Sequence, residues 1–356
     1  MKVEEIGFEN FRNLKKGNIK CHEQVNVIYG DNAQGKTNLL EAIWLFSGAR
    51  SFRGAKDNEC VAHGAELAKL NMQFEAEGRS QSAELIISTR RSATLGGVAL
   101  KSAGELAGNF KAVVFSPAHL SLIKDGPNGR RRFLDTAIGQ LWPKYIGLLK
   151  NYTRCLAQRN ALLRDVKYHS QLYEMLDVYD NELSTLGGKI TAYRAKYVEL
   201  LSSLASTVYS GISGGKEEFD VIYQPSGGND MHDGLKSAQK ADVLSGVTSV
   251  GPHRDELEVT VNGKSARSFG SQGQQRSAVI ALKMSEAAVI NQLSNEQPVL
   301  LLDDVMSELD ERRQDYILNH IKNSQVFITC CDKNSVGLLK GGSAFLMSDG
   351  CITENG

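Results

Sequence analysis

The chain has 356 residues, and at roughly 150 residues per domain that length suggests about two domains. Hydrophobic residues make up 41% and charged residues 23%, the profile of a soluble globular protein with an ample core, and no apolar run approaches the ~20 residues that span a bilayer. Net charge is zero, but Lys101 to Ser170 carries twelve Lys/Arg against four Asp/Glu, so a polyanionic partner is not excluded.

The start, Met1-Lys2-Val3-Glu4-Glu5-Ile6, is acidic where a signal peptide needs a basic and then an apolar stretch, so the cytoplasm is the expected location, with no membrane partner. Strands are predicted at Lys2 to Phe8 and at Gln24 to Tyr29, the second running into a glycine turn. From Asn38 onward, Leu39, Leu40, Ile43, Trp44 and Phe46 recur with helical period. Short alternating segments between Glu66 and Leu100 predict antiparallel strands, and Ala112 to Phe115 a buried strand ending at Ser116-Pro117. Arg130 to about Ser210 reads as helical, interrupted at Pro143 and at Gly187-Gly188. A polar, Gly/Ser-containing region follows Gly211, with one strand-like piece at Phe219 to Tyr223. Leu257 to Ala266 predicts a hairpin turning at Asn262-Gly263, a pair suited to a type I′ turn. A helix from Gly273 to about Leu293 precedes a strand at Val299 to Leu302, with further strands at Val326 to Thr329 and Ala344 to Met347.

This order predicts an α/β protein. A phosphate-loop core, with a mixed sheet containing antiparallel strands, is built from residues 1–116 and 241–356, and a mostly helical lobe of residues 117–240 is inserted into it. The six cysteines form no CxxC pair and have no nearby His at zinc-ligand spacing, so they read as reduced thiols used as small core residues.

Gly30-Asp31-Asn32-Ala33-Gln34-Gly35-Lys36-Thr37 fits G-x-x-x-x-G-K-[ST], with an apolar strand before it and a helix, beginning near Lys36, after it. The glycines let backbone N–H groups approach phosphate oxygens, and the helix adds its positive dipole end. Lys36 is the candidate for the β/γ-phosphates and Thr37 for Mg²⁺. The strand Val299 to Leu302 ends in Asp303-Asp304. At the carboxyl edge of a parallel sheet Asp303 can hold Mg²⁺, and Asp304 can orient or activate an attacking water. Alone, two acids after an apolar strand would be an ordinary surface turn.

Ser271-Gln272-Gly273-Gln274-Gln275 resembles the LSGGQ signature of ABC ATPases, with Gln272 in place of the first glycine and Gly270 in place of the Leu-type position. Alone it would read as a helix N-cap. Ser307-Glu308-Leu309-Asp310 follows the two acids at D-loop distance. A signature turn cannot reach the phosphate held by its own chain's Lys36. A second copy must therefore supply Ser271, Gly273 and Gln274, giving a head-to-tail pair with ATP sandwiched between. Loss of the γ-phosphate would remove the bridge.

With these motifs in order, the chain resembles the bacterial RecF family over nearly its whole length. The resemblance is carried by Phe11-Arg12-Asn13-Leu14, Gly30 to Asn38, Phe115-Ser116-Pro117, Gly126-Pro127, Arg130 to Asp135, Gly251-Pro252-His253-Arg254-Asp255 and Leu301 to Asp310. Ala118 stands where the family favours an acid, and Asp125 where it favours glycine. No histidine follows Val326 to Thr329 where transporter-type ABC ATPases carry one, and Thr329 is the candidate for that place. The resemblance implies a two-lobed ABC-like fold related to SMC ATPases, ATP-dependent dimerisation on DNA and slow, DNA-stimulated hydrolysis. It also implies work at single-strand gaps with RecR-like and RecO-like mediators, helping RecA load in recombinational repair and the SOS response.

The basic segment supports DNA independently. Arg130, Arg131, Arg132, Lys144, Lys150 and Arg154 are the candidate contacts, continued by Arg159, Arg164 and Lys167. Contacts to phosphates would be salt-dependent and blind to sequence, and no aromatic stacking signature is apparent. For any one of these cations a solvated helix face is the competing reading, and some of the arginines could pair with acids across the dimer. His253 and Arg254 fit a buried structural pair as well as a phosphate contact. The nucleotide-binding subunit of a membrane transporter is the alternative function, disfavoured by the basic helical insertion. A phosphate-loop kinase is disfavoured by the signature-like turn.

Overall fold

The computed structural model describes residues 1–228, 230–321, 323–331 and 341–355. Two compact units emerge: Met1–Leu120, Val208–Lys216 and Val279–Gly356 form the first, and Ser121–Thr207 with Glu217–Ala278 the second.

The first unit opens with β1 (Lys2–Phe11), β2 (Leu14–Lys20) and β3 (Val25–Tyr29), then α1 (Lys36–Leu45). After α1 come β4 (Ala68–Ala76), β5 (Arg79–Ile87), β6 (Arg91–Leu95), β7 (Val98–Ala99) and β8 (Ala112–Phe115). The strand β2 was not foreseen, because Leu14–Lys20 carries three lysines and only two buried apolar side chains, Leu14 and Ile19. Antiparallel pairing gives one sheet of order β2-β1-β4-β5-β6-β7. On β4 the buried and exposed positions alternate, as a strand with one packed face requires.

In the second unit lie α2 (Ser121–Lys124), α3 (Pro127–Leu141), α4 (Lys144–Val166) and most of α5 (Leu176–Ser213). Pro143 separates α3 from α4, as its missing N–H favours. The Gly187-Gly188 pair does not interrupt anything: it lies inside α5, and the break falls before that helix, at residues 167–175. Gly187 serves packing, because a Cβ there would lie 2.2 Å from Met231 Sδ. Next come β9 (Phe219–Gln224), α6 (Met231–Ser245), β10 (Glu256–Val261), β11 (Lys264–Ser265) and α7 (Ala266–Phe269). The strands β9 and β10 pair antiparallel from Glu256↔Gln224 to Val261↔Phe219, which ties the segment 241–278 to the second unit. Asn262 and Gly263 have φ of 51° and 70°, the left-handed pair that a type I′ turn demands.

Helix α6 escaped the periodicity because two of its three buried residues, Gln239 and Asp242, are polar. Its ends are marked nonetheless: Asp230 accepts from His232 N at 2.7 Å, and Gly246 closes it at φ 73°. The chain continues through α8 (Gln272–Ser294), β12 (Val299–Leu302), α9 (Glu311–His320), β13 (Val326–Cys330), β14 (Ser343–Ser348) and β15 (Cys351–Asn355). These build the second large sheet, order β15-β14-β3-β13-β12-β8, parallel throughout except at β15. One apolar core, including Phe11, Phe46, Phe74, Phe110 and Phe327, joins both sheets and α1.

The architecture is therefore a mixed α/β core with antiparallel strands and a helical second unit. Cys60, Cys155 and Cys330 are buried thiols, whereas Cys331 and Cys351 are exposed, so the core reading does not extend to those two. Burial pushes the Cys60 thiol up to about 11. Among the described residues no helix is long and apolar enough to cross a membrane.

Candidate nucleotide site and nucleic-acid surface

The loop between β3 and α1 owes its shape to three left-handed residues: Gly30 (φ 143°), Ala33 (φ 65°) and Gly35 (φ 119°). Glycine is required at the first and third. A Cβ on Gly30 would lie 2.3 Å from Met347 O, and one on Gly35 2.8 Å from Asn13 Oδ1. Helix α1 starts at once with Lys36, so the orphan N–H groups of its first turn adjoin the loop. Lys36 is buried and its Nζ donates to Gly30 O at 2.7 Å and Asp31 O at 3.0 Å. Asp31, Asn32 and Ala33 are exposed at the crest of the loop, while Gln34 accepts from Asp349 N through its side chain and from Gly350 N through its backbone.

Residues without a sequence-assigned role brace this loop. The turn between β1 and β2 supplies Asn13, whose Nδ2 donates to Ala33 O at 3.0 Å and whose Oδ1 accepts from Asn38 Nδ2 at 2.7 Å. Arg53 Nη1 donates to Asn38 Oδ1 at 2.8 Å. Arg12 forks onto the fully buried Glu41 of α1 at 2.9 and 3.0 Å. Motif spacing could not expose these roles, because the partners lie 15 to 29 positions apart.

In the parallel sheet β13 lies between β3 and β12, which sets the loop, Thr329 and the two acids along one edge. Thr37 Oγ1 donates to Asp303 Oδ1 at 2.6 Å across 266 positions of chain. Thr329 Oγ1 donates to the same oxygen at 3.2 Å and accepts from Asp304 N at 2.9 Å. Thr329 is thus wedged between both acids. Burial raises the Asp303 carboxyl above its usual range; Thr37 and Thr329 hydrogen bonds and the charge of Arg53 pull it back, and the charge of Asp304 adds to the rise. Asp304 itself is half-buried with φ 50°, an uncommon conformation for a residue with a side chain. Asp310 caps α9 by accepting from Arg313 N at 3.0 Å.

The signature-like turn belongs to the second unit. Ser271 caps α8 reciprocally: Gln274 N donates to Ser271 Oγ at 3.2 Å, and Ser271 N to Gln274 Oε1 at 2.8 Å. Gln274 Nε2 also donates to Glu217 Oε1, while Ser271 and Gln272 are exposed and Gly273 half-buried.

The candidate DNA cations divide by burial. Arg130 is 5% exposed; Nε and Nη2 each lie 2.7 Å from Glu256, and Nη1 donates to Leu122 O and Asp125 O. Its whole fork is used inside the unit, which corrects its reading as a DNA contact. Arg131 donates to Asp255 O at 2.7 Å, and burial together with Arg194 holds its guanidinium below the usual value. Arg159 is corrected likewise: it is fully buried between Asp180 and Asp242. Arg132, Lys144, Lys150, Arg154, Arg164 and Lys167 are exposed. His253 bridges Tyr152 OH at 2.7 Å and Thr248 O at 2.9 Å, and burial lowers its pKa, so it reads as a neutral structural ring, while Arg254 is exposed.

A family model described as the RecF/RecN/SMC N terminal domain matches residues 2–350. The DNA replication and repair protein RecF of Acetivibrio thermocellus is 38% identical over 348 residues, covering 94% of each chain. That of Clostridium acetobutylicum is 39% identical over 364 residues, covering 99% of this chain and 100% of the relative. A solved structure of the recombination mediator protein RecF-ATP in the RecFOR pathway superposes with a TM-score of 0.93 at 37% identity, covering 100% of this chain and 98% of that one. The Smc head domain of Pyrococcus furiosus shares the fold, with a TM-score of 0.56 at 17% identity over 99% of this chain and 96% of that one. These likenesses do not favour the transporter-subunit alternative. With a matching model over nearly the whole length and relatives at 38–39% identity across it, the chain belongs to the RecF family.

Proposed function

We propose that this chain is an ATP-dependent DNA-binding protein of replication and recombinational repair, acting in the cytoplasm as a nucleotide-switched clamp. The observation that carries this reading is the 2.6 Å contact between Thr37 Oγ1 and Asp303 Oδ1 beside the Lys36 loop. A hydroxyl and a carboxylate converging next to a phosphate cradle suit Mg²⁺, which takes few protein ligands and keeps water and phosphate oxygens for the rest. When bound, Mg²⁺ supplies charge neutralisation of the β- and γ-phosphates.

The loop Gly30 to Thr37 binds and orients the triphosphate, with Lys36 Nζ as the point charge and Asn38 steadying the loop through Asn13. Asp304 orients the attacking water. Ser271, Gly273 and Gln274 of a second copy donate to the γ-phosphate, so ATP closes a head-to-tail homodimer and its slow hydrolysis reopens it. Arg132, Lys144, Lys150 and Arg154 hold phosphates of double-stranded and gapped DNA. By kinship with proteins named for the RecFOR pathway, RecR-like and RecO-like mediators are the partners and RecA loading the outcome.

The test compares ATP binding and hydrolysis of wild type and Lys36→Arg on gapped duplex DNA. Lys36→Arg keeps the charge but misplaces it, so binding persists and most hydrolysis is lost. Absence of ATP binding by the wild type, or hydrolysis by Lys36→Arg at the wild-type rate, would overturn the reading.

A further inference from the structure

We infer that the outer face of α4 and the turn that follows it form a site for a junction between duplex and single-stranded DNA, with Tyr168 stacking on an unpaired base. This rests on the DNA-binding reading above and assigns it a place and a DNA form.

The helix phase carries the first half. Lys150, Arg154, Ala157, Ala161 and Arg164 recur at three- and four-residue steps, and all are exposed. The opposite face, with Tyr152, Cys155, Arg159, Leu163 and Val166, is buried. From Lys150 to Arg164 the row spans roughly 21 Å of helix axis. Among the described residues, the ion pairs of this unit include those of Arg130, Arg159, Arg194 and Lys236, and none of these draws on Lys150, Arg154 or Arg164. The two alanines keep the row low, so a phosphate strand can lie against it. The only acid in α4 is Asp165, which borders the row at its far end.

The second half lies where the row ends. Lys167 closes α4, and Tyr168 follows it with 82% of its surface exposed, flanked by Lys167 and His169, both exposed. A large aromatic ring held this far into water beside cations offers a π-face to a base. Tyr173 is partly exposed nearby in sequence but tied by its hydroxyl to Gln239 Oε1 at 3.0 Å, so Tyr168 is the freer ring. Glu174 is the other exposed acid of this turn. A protein-docking core would be depleted of lysine, and here Lys167 directly precedes the ring.

The experiment uses the full chain with ATP and Mg²⁺. The DNA is a fluorescein-labelled blunt duplex, or the same duplex with a single-stranded tail carrying 2-aminopurine at its first unpaired position. Wild type is expected to prefer the tailed DNA and to quench the 2-aminopurine. Tyr168→Ala should lose both the quenching and the tail's advantage, roughly 10- to 100-fold, the equivalent of one base–tyrosine stack. Its blunt-duplex affinity should stay unchanged, and Tyr168→Phe should behave as wild type. If Tyr168→Ala keeps the quenching and the tail preference, the inference is wrong and the exposed ring serves a protein instead. A wild type that binds blunt and tailed DNA equally also sinks it, while leaving the DNA-binding reading intact. A wild type that binds neither sinks both.

Discussion

Replacing Arg159 by alanine separates two roles that look alike along α4. In chain order Arg154, Arg159 and Arg164 form one basic run, yet only Arg159 is fully buried. Its Nε lies 2.6 Å from Asp180 of α5; Nη1 lies 2.7 Å from Asp242 of α6 and donates to Thr248 at 2.9 Å. Arg159→Ala would leave two buried carboxylates with neutral donors alone: Gln239 at 3.2 Å for Asp180, and Ser249 at 2.6 and 3.0 Å for Asp242. Breaking a buried pair in this way costs about 3–5 kcal/mol. Arg159 Nη2 has no partner, which favours the lower figure. For a unit of this size, the melting midpoint should fall by roughly 5–15 °C. Arg154→Ala, on an exposed side chain, should shift stability by less than about 0.5 kcal/mol while weakening DNA binding and lowering the salt slope by ~1. Thermal unfolding followed by circular dichroism, paired with DNA titrations across salt, reads both. If Arg159→Ala melts like wild type and loses DNA affinity, the division by burial is mistaken.

Other outcomes follow from the same geometry. Asn13→Ala removes two hydrogen bonds from the phosphate loop and should weaken nucleotide binding roughly tenfold; an unchanged fluorescent-ATP titration would dismiss the brace. Asp303→Asn should abolish Mg²⁺-dependent hydrolysis, and retention of the wild-type Mg²⁺ requirement by that variant would move the metal elsewhere. Burial and the charge of Lys283 hold His119 down to about 3, well below its unfolded value near 6.5. Below pH ~6.5 the unfolded chain therefore takes up a proton that the native ring refuses, and stability should drop by up to about 1.4 kcal/mol per pH unit towards pH 3. His119→Gln should flatten that decline, and an identical pH profile for the variant would refute the assignment.

Local chemistry was what the chain declared most openly. Gly30 to Thr37 could be read directly, because the loop's shape depends on glycines within six positions of one another. The acids after β12 could be read once that loop was known. The 266-position contact between Thr37 and Asp303 could not be read from spacing, since strand order alone brings them together. Arg130 and Arg132 are indistinguishable as letters, and only the fold decides that the first forks onto Glu256 while the second faces solvent. Gly187-Gly188 resembled a helix breaker, but glycine costs a helix only ~1 kcal/mol, which tertiary packing against Met231 can offset. The aromatic at Tyr168 was hidden for a different reason: a tyrosine in sequence says nothing about exposure.

Sedimentation of the chain with ATP and Mg²⁺, wild type beside Ser271→Arg, asks most directly whether one nucleotide is held by two molecules. The expected result is a dimer for the wild type and a monomer that still binds ATP for the variant. A variant that dimerises like the wild type, or a wild type that stays monomeric with ATP bound, would contradict the account.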